Sequence, residues 1–156
     1  MTNNDILRRI RYVFDINDST MTDIFKHADY DADREQISNW LKKDDDETYE
    51  ACGDIQFSTF LNGLIIEKRG KQEGVTPEPD KRLNNNIILR KLKIALELKN
   101  DELLELISRN GLSISKHELS AFFRRAGHKH YRSCKDQVLR NFLQALQEKY
   151  RPSLAD

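Results

Sequence analysis

The sequence overlays itself without a gap when it is shifted by 82 residues. The match runs from residue 3 to residue 69 and includes identities near both ends of each copy. Identical pairs include Asn3 and Asn85, Asn4 and Asn86, Arg8 and Arg90, Ser38 and Ser120, Cys52 and Cys134, and Phe60 and Phe142. One constant offset over this distance predicts two copies of the same small module, one after the other along the chain.

The two copies define the boundaries of the predicted modules. The first module is expected at residues 1–70 and the second at residues 83–151. Residues 71–82 include Gly74, Pro77 and Pro79, which favour a linker, and residues 152–156 are expected to form a frayed tail. Because a module of this size is close to the limit for an isolated hydrophobic core, the two modules are expected to share buried surface.

Apolar residues recur in each copy at the three- and four-residue spacing that is typical of one helix face. Each copy contains four such segments and no convincing strand alternation. The third segment also has helix-start signals, which are Asp33 with Gln36 and Ser115 with Glu118. The sequence therefore predicts an all-α fold with two tandem four-helix modules, eight helices in total, related by a pseudo-two-fold axis.

Positions related by the shift are expected to be buried alike, because they lie on the same face of equivalent helices. Trp40 and Phe122 form one such pair, and Phe60 and Phe142 form another. All four rings are predicted to be deeply buried.

Two stretches in each copy resemble a known family. The openings, residues 3–12 and 84–93, read Asn-Asn-Asp-Ile-Leu-Arg-Arg-Ile-Arg-Tyr and Asn-Asn-Asn-Ile-Ile-Leu-Arg-Lys-Leu-Lys, and the later stretches are residues 52–71 and 134–146. With these motifs, nearly the whole chain resembles the YehS-like family of bacterial proteins. The resemblance implies a duplicated domain in a bacterial cytoplasmic protein. Because the function of that family is unknown, the resemblance carries over no activity and no catalytic residue.

The lack of an export signal and the two cysteines favour a cytoplasmic protein. The chain has 26 Lys and Arg and 26 Asp and Glu, so no net field steers it to nucleic acid or to a membrane. No basic stretch followed by an apolar stretch opens the sequence, which predicts that an export signal is absent. No uncharged run approaches the roughly 20 residues of a membrane span. Two cysteines in such a chain favour free thiols.

Two groups of residues have chemistry that suits a metal ion. Residues 29–33 place three aspartates in the spacing of a calcium loop, but Arg34 and Trp40 occupy the positions that such a loop gives to glycine and glutamate. The second group could bind zinc and consists of His117, His128, His130 and Cys134. A structural zinc site needs firmer spacing and more sulfur. We therefore predict no metal site and no cofactor.

Cys52 and Cys134 lie in a Tyr-x-x-Cys-x-Asp motif that both copies keep just before the fourth helix. A thiol at a helix N-terminus can become reactive. However, no histidine stands at a matched position in both copies, and the nearby Asp54 and Asp136 disfavour a thiolate. We interpret both cysteines as reduced structural residues, and we predict that the protein is not an enzyme.

Basic residues recur at seven of the nine Lys/Arg positions of the first copy. Most of them form a candidate anion-binding or nucleic-acid-binding surface: Arg8, Arg9, Arg11, Arg34, Lys42, Lys43, Arg90, Lys91, Lys93, Lys116, Arg124 and Arg125. A simpler interpretation is that these side chains are solvated, with Lys42, Lys43, Arg124 and Arg125 suiting the negative end of the third helix.

The second and third helices could also form a helix-turn-helix. However, the turn at residues 111–115 is too long for that motif, which favours an ordinary helical corner.

The two copies differ strongly in charge. Residues 1–70 carry 9 basic and 15 acidic side chains, whereas residues 83–156 carry 14 basic and 8 acidic side chains. The contrast is sharpest in the matched segments 44–50, with Asp46, Glu47 and Glu50, and 126–132, with Lys129 and Arg132. We predict that these two loops lie against each other where the modules meet. Independent drift, or two loops that face two different partners, is the alternative.

Two functions are compatible with this sequence. The first is a non-catalytic helical adaptor whose ligand is another protein, which agrees with the balanced charge and the lack of a catalytic constellation. The second is a nucleic-acid-binding protein that uses the duplicated basic positions, because phosphate binding needs a basic patch and not a basic protein. Aromatic residues that could stack on single strands are sparse near those positions, which places the adaptor first.

Overall fold

The computed structural model describes residues 1–71 and 77–152, and these residues form eight α-helices and no strand. The helices are α1 (Asn3–Val13), α2 (Asp18–His27), α3 (Arg34–Trp40), α4 (Asp54–Arg69), α5 (Asn85–Ala95), α6 (Asn100–Ser108), α7 (Lys116–Phe122) and α8 (Asp136–Tyr150). Two compact units contain four helices each: unit 1 (Met1–Leu83) and unit 2 (Asn84–Asp156). The predicted all-α fold with two four-helix modules is confirmed.

Residues 72–76 of the predicted linker and residues 153–156 of the predicted tail lie outside the described residues. The remaining linker residues include Asp80, which is tied to α4 in unit 1. The Ser58 hydroxyl donates to the Asp80 carboxylate at 2.9 Å and accepts from the Asp80 backbone N–H at 2.8 Å. Ser58 is fully buried, so this polar pair anchors the described end of the linker to its own unit.

Short polar side chains begin several of the helices. Thr2 caps α1 in a capping box with Asp5. Ser115 caps α7 by accepting from the Glu118 N–H, as its position in the sequence predicts. Asp33 caps α3 as well, but it accepts from the N–H of Glu35 and not from that of Gln36.

The core of each unit contains the predicted aromatic residues. The exposed fraction is 2% for Trp40, 5% for Phe122, and 0% for both Phe60 and Phe142, so the prediction of matched burial is confirmed. In unit 1 the Phe25 ring packs with its centroid 5.6 Å from those of Trp40 and Phe60. Tilted aromatic contacts at this separation stabilise a core beyond their area alone.

Among the described residues, no helix is both long and apolar enough to cross a membrane.

Gly63 lies where α4 packs tightly against the backbone of α2. A Cβ atom at this position would overlap the backbone carbonyl oxygen of Ile24 in α2. The equivalent residue in unit 2 is Ala145, which is fully buried in α8. The two units thus share one helical arrangement, but only unit 1 brings this helix pair so close that a methyl group cannot fit.

We expect the Gly63→Ala substitution to destabilise unit 1 by about 1–3 kcal/mol, because the backbone of α2 would have to move away from α4. The gain in helix propensity from glycine to alanine, about 1 kcal/mol, opposes this cost without cancelling it. Denaturant unfolding measures the difference. The matched control is Gly127→Ala, where the added methyl group meets nothing within 4 Å and should be nearly neutral. Equal stability of the two variants would contradict the close approach.

Candidate functional site

The segment between α3 and α4 is held in place by two asparagines at the start of α1. The Asn4 amide nitrogen donates to the carbonyl oxygens of Trp40 at 3.0 Å and Glu50 at 2.8 Å. Its amide oxygen accepts from the backbone N–H of Cys52 at 2.9 Å. Asn3 donates to the carbonyl oxygen of Cys52 at 3.1 Å. We call this pair of asparagines, with its counterpart in unit 2, the asparagine bracket.

Unit 2 repeats the bracket with Asn85 and Asn86. Asn86 donates to the carbonyl oxygens of Phe122 at 3.0 Å and Arg132 at 2.8 Å, and it accepts from the Cys134 N–H at 2.9 Å. Asn85 donates to the carbonyl oxygen of Cys134 at 3.0 Å. Asn4 and Asn86 are both buried. Because every partner in these bonds is a backbone group, the bracket fixes the path of the loop without depending on the loop's side chains.

The aspartate of each Tyr-x-x-Cys-x-Asp motif completes the bracket. Asn3 donates to Asp54 at 2.8 Å, and Asn85 donates to Asp136 at 2.7 Å. The hydrogen bond from Asn85 lowers the pKa of Asp136. Asp54 also accepts from the backbone N–H of Leu83 at 2.9 Å. The cysteine and aspartate positions of the motif are therefore explained by hydrogen bonding at the start of α4 and α8.

Burial sets the chemistry of the two cysteines. Cys52 and Cys134 are free thiols, and each has an exposed fraction of 5%. Burial, and then the nearby charge of Asp54 or Asp136, raises the pKa of each thiol to about 12. Since the thiolate is the nucleophilic form, neither sulfur is activated for attack in this environment.

The duplicated basic residues occupy different environments. Arg8 is half-buried and donates to the carbonyl oxygen of Lys42 at 2.8 Å, so it joins α1 to the end of α3. In unit 2 the Lys93 ammonium lies 5.3 Å from the centre of the Phe123 ring. Phe123 directly precedes Arg124 in the chain. Six of the twelve candidate residues are exposed: Arg34, Lys43, Arg90, Lys116, Arg124 and Arg125. The first and third helices of each unit thus bring some of these basic positions together.

A cleft in unit 2 gathers several cationic and imidazole side chains. Its volume is about 520 Å³, and it lies between α7 and the loop that follows it. The lining residues, which we call the basic cleft, are Ser115, His117, Glu118, Ala121, Arg124, His130 and Arg132. The cleft contains two arginines and two histidines against one glutamate.

The matched positions of unit 1 have the opposite character. They are Asp33, Glu35, Gln36, Asn39, Lys42, Thr48 and Glu50. The Asn39 amide donates to the Glu50 carboxylate at 3.1 Å, where unit 2 has Ala121 and Arg132. The same backbone therefore carries an acidic, internally hydrogen-bonded surface in one unit and a basic cleft in the other.

The two charged loops share one turn geometry. In unit 1 the Asp46 carboxylate accepts from the Thr48 N–H at 2.8 Å, and in unit 2 the His128 Nδ1 accepts from the His130 N–H at 3.0 Å. The hydrogen bonds from the Thr48 N–H and hydroxyl lower the pKa of Asp46. Residues 43–48 are exposed, as are Lys129, His130 and Arg132. The expectation that the two loops lie against each other stays a prediction.

Of the candidate metal ligands, His117 and His130 line one cleft, but they are not joined there by a third. In the described ranges 1–71 and 77–152, no group of three or more His, Cys, Asp or Glu side chains is arranged to hold a metal ion. Asp29 adopts a left-handed backbone conformation with φ of 59°, and Asp33 is the cap of α3. The aspartate-rich segment therefore forms a turn and a helix start.

Comparison with known proteins agrees with the duplicated structure. The family model described as "Protein of unknown function (DUF1456)" matches the chain twice, at residues 3–70 and 85–151. The chain belongs to the DUF1456 family. It is 45% identical over 147 residues to the "Uncharacterized protein YehS" of Escherichia coli (strain K12), which covers 94% of each chain. No solved structure matches.

For this member of the DUF1456 family, sequence reasoning identified the arginines of the cleft but not the cleft itself. The missed signal is a pair of linked changes between the copies, Asn39 to Ala121 and Glu50 to Arg132, which remove an internal hydrogen bond and reverse a charge. The role of Asn4 and Asn86 was also missed, although both belong to the motif that opens each copy.

We expect Asn4→Ala and Asn86→Ala each to destabilise its unit by about 2–4 kcal/mol, because each buried polar group left unpaired costs about 1–3 kcal/mol. Denaturant unfolding measures the loss. The control is Asn39→Ala, which removes one exposed hydrogen bond to Glu50 and should stay within about 0.5 kcal/mol of the wild type. Small losses for both bracket variants would show that the loops are held in another way.

Both native cysteines should resist a thiol reagent at neutral pH. We expect labelling to be slower by about a hundredfold or more than in the urea-unfolded chain, because burial and the raised pKa keep each thiol protonated. Mass spectrometry of labelled peptides separates Cys52 from Cys134. A cysteine placed at the exposed residue Ser113 (Ser113→Cys) is the positive control and should react quickly. Rapid labelling of both native thiols would overturn their structural interpretation.

Proposed function

We propose that this protein is a non-catalytic adaptor that binds other proteins through two loops of opposite charge. The observation that supports the proposal is the pair of matched loops at 44–50 and 126–132. The two share the same turn and the same bracket, yet one carries carboxylates and the other carries cationic side chains. A duplicated surface that keeps its backbone and reverses its charge is suited to two different ligands.

The acidic loop offers side chains that a basic partner could bind. Asp44, Asp45 and Glu47 are exposed, and none of them forms an ion pair within the described part of the chain. Exposed charges of this kind contribute more to the rate and specificity of association than to raw affinity. The acidic loop therefore favours recognition of a basic protein surface.

The basic loop offers the complementary surface. Lys129 and Arg132 are exposed in the loop, and Arg124 and Arg125 lie between α7 and the loop. Arginine is enriched at protein interfaces, because its planar guanidinium group forms paired hydrogen bonds with carboxylates. The basic loop therefore favours an acidic protein segment.

The alternative function, nucleic-acid binding, is supported by a different observation. Lys93 packs over Phe123 beside Arg124, so basic residues of α5 and of the end of α7 lie close together in unit 2. Phosphate binding through such a patch would weaken steeply with salt. Arg8 is the residue of unit 1 that is equivalent to Arg90. Arg8 donates to the carbonyl oxygen of Lys42, so its role is structural.

Crosslinking capture from a bacterial lysate tests the adaptor proposal. We compare the wild type with an acidic-loop variant (Asp44→Asn, Asp45→Asn, Glu47→Gln) and a basic-loop variant (Lys129→Gln, Arg132→Gln). Each is expected to lose one set of captured proteins and to keep the set that depends on the other loop. Matched controls neutralise exposed residues on other faces, with Asp23→Asn and Glu148→Gln for acidic charge, and Lys26→Gln and Arg140→Gln for basic charge.

The same capture is repeated after nuclease treatment and with Arg90→Glu and Lys93→Glu. Capture that survives nuclease and depends on the loops supports the adaptor. If capture is lost with nuclease, with high salt and with these two charge reversals, the adaptor function is contradicted and nucleic-acid binding is supported. Identical capture by every variant would contradict both functions.

A further inference from the structure

We propose that the basic cleft of unit 2 is a binding site for a small organic oxyanion, a ligand that carries a phosphate monoester or carboxylate group. The inference does not depend on the adaptor function, because it concerns a small ligand and only one of the two units. It rests on the size of the cleft, its charge, the hydrogen bonds that hold its walls, and two arginines that form no ion pair within the described residues.

The size of the cleft suits a small molecule. Its volume of about 520 Å³ lies within the range of about 300–1,000 Å³ that is common for small-molecule sites. Ala121 is the buried residue of its lining, and its short side chain leaves the space that Asn39 occupies in unit 1. The cleft therefore has room for more than a single inorganic ion.

The lining charges favour an anion. The guanidinium groups of Arg124 and Arg132 form no ion pair within the described residues, and both side chains are exposed. Arginine binds phosphate and carboxylate oxygens through two parallel hydrogen bonds, which gives it geometric selectivity for these groups. His117 and His130 add N–H donors to the same cleft.

Glu118 is the one acidic residue of the lining. Its backbone N–H donates to the Ser115 hydroxyl in the cap of α7. With neutral histidines, two arginines and this glutamate leave the cleft with a formal charge of +1. A ligand that also carries a hydroxyl or amino donor could use the Glu118 carboxylate while its oxyanion binds the arginines.

The backbone holds the two walls of the cleft together. The Arg132 N–H donates to the carbonyl oxygen of Ala121 at 3.2 Å, which joins the loop to α7. The carbonyl oxygen of Arg132 accepts from Asn86 at 2.8 Å, and the His130 N–H is bound to His128. These bonds use backbone groups of the loop and the side chains of Asn86 and His128. They fix the backbone that carries the arginines and leave the guanidinium groups available to a ligand. A site that is formed before binding loses less entropy when the ligand arrives.

Unit 1 provides an internal control. It has the same backbone link, from the Glu50 N–H to the carbonyl oxygen of Asn39 at 3.2 Å. Its matched lining contains three acidic residues and one lysine, and the Glu50 carboxylate is bound to the Asn39 amide. The equivalent surface of unit 1 should therefore not bind an anion.

The test is an NMR titration of the ¹⁵N-labelled full-length protein at constant ionic strength. The probes are glycerol phosphate for the phosphate class and citrate for the carboxylate class, with sodium chloride as the reference salt. We expect saturable shifts of backbone amide signals at His117, Ala121, Arg124 and Arg132 with at least one probe. The probe that saturates at the lower concentration identifies the preferred class, and either preference supports the site.

The variant Arg124→Gln with Arg132→Gln should weaken binding by about tenfold or more, because charge-assisted hydrogen bonds are lost. The control, Lys42→Gln with Arg140→Gln, changes the unit 1 equivalent of Arg124 and an exposed arginine outside the cleft, and should leave binding unchanged. A well-dispersed spectrum shows that each variant is folded. The proposal is overturned if neither probe gives saturable shifts in the cleft. It is also overturned if the matched residues of unit 1 respond equally, or if the double cleft variant binds as the wild type does.

Discussion

The buried amide of Asn4, with its equivalent Asn86, is the interaction on which the arrangement of each unit depends. The amide forms three hydrogen bonds at the same time. It donates to a backbone carbonyl at the end of the third helix and to one at the end of the charged loop, and it accepts from a backbone N–H before the fourth helix. Unpaired backbone groups at a buried site are costly, so a long irregular segment can cross this region only if such partners are provided. One side chain at the start of the first helix thereby fixes where the third helix stops and the fourth begins.

Because the bracket binds backbone groups, it places little restriction on the side chains of the loop. The backbone carbonyl oxygens of Glu50 and Arg132 accept from equivalent asparagine amides, at 2.8 Å in both units, although the two side chains have opposite charges. After duplication, loop side chains could therefore change while the fold was kept. This separation explains how the matched loops carry five carboxylates in residues 44–50 and two cationic side chains in residues 126–132.

The features that sequence predicted well are those that depend on local periodicity. The spacing of apolar residues placed all eight helices, and the burial of Trp40 and Phe122 follows from the helix face that they share. The close approach at Gly63 could not be predicted, because it depends on how two helices distant in sequence cross. The shape of the cleft could not be predicted for a similar reason, because the hydrogen bond from the Arg132 N–H to the Ala121 carbonyl oxygen joins α7 to a residue ten positions beyond its end.

The contrast between the units also bears on how function can be compared within the family. A relative that keeps both asparagine pairs and the two Tyr-x-x-Cys-x-Asp motifs keeps the residues that position the loops. It need not keep Arg124, Ala121 or Arg132, since none of these side chains takes part in the bracket. Shared identity in the bracket therefore shows a shared fold, whereas the ligand must be inferred from the residues that line the cleft. In this chain those residues differ even between the two halves of one molecule, so each unit has to be assigned its ligand separately.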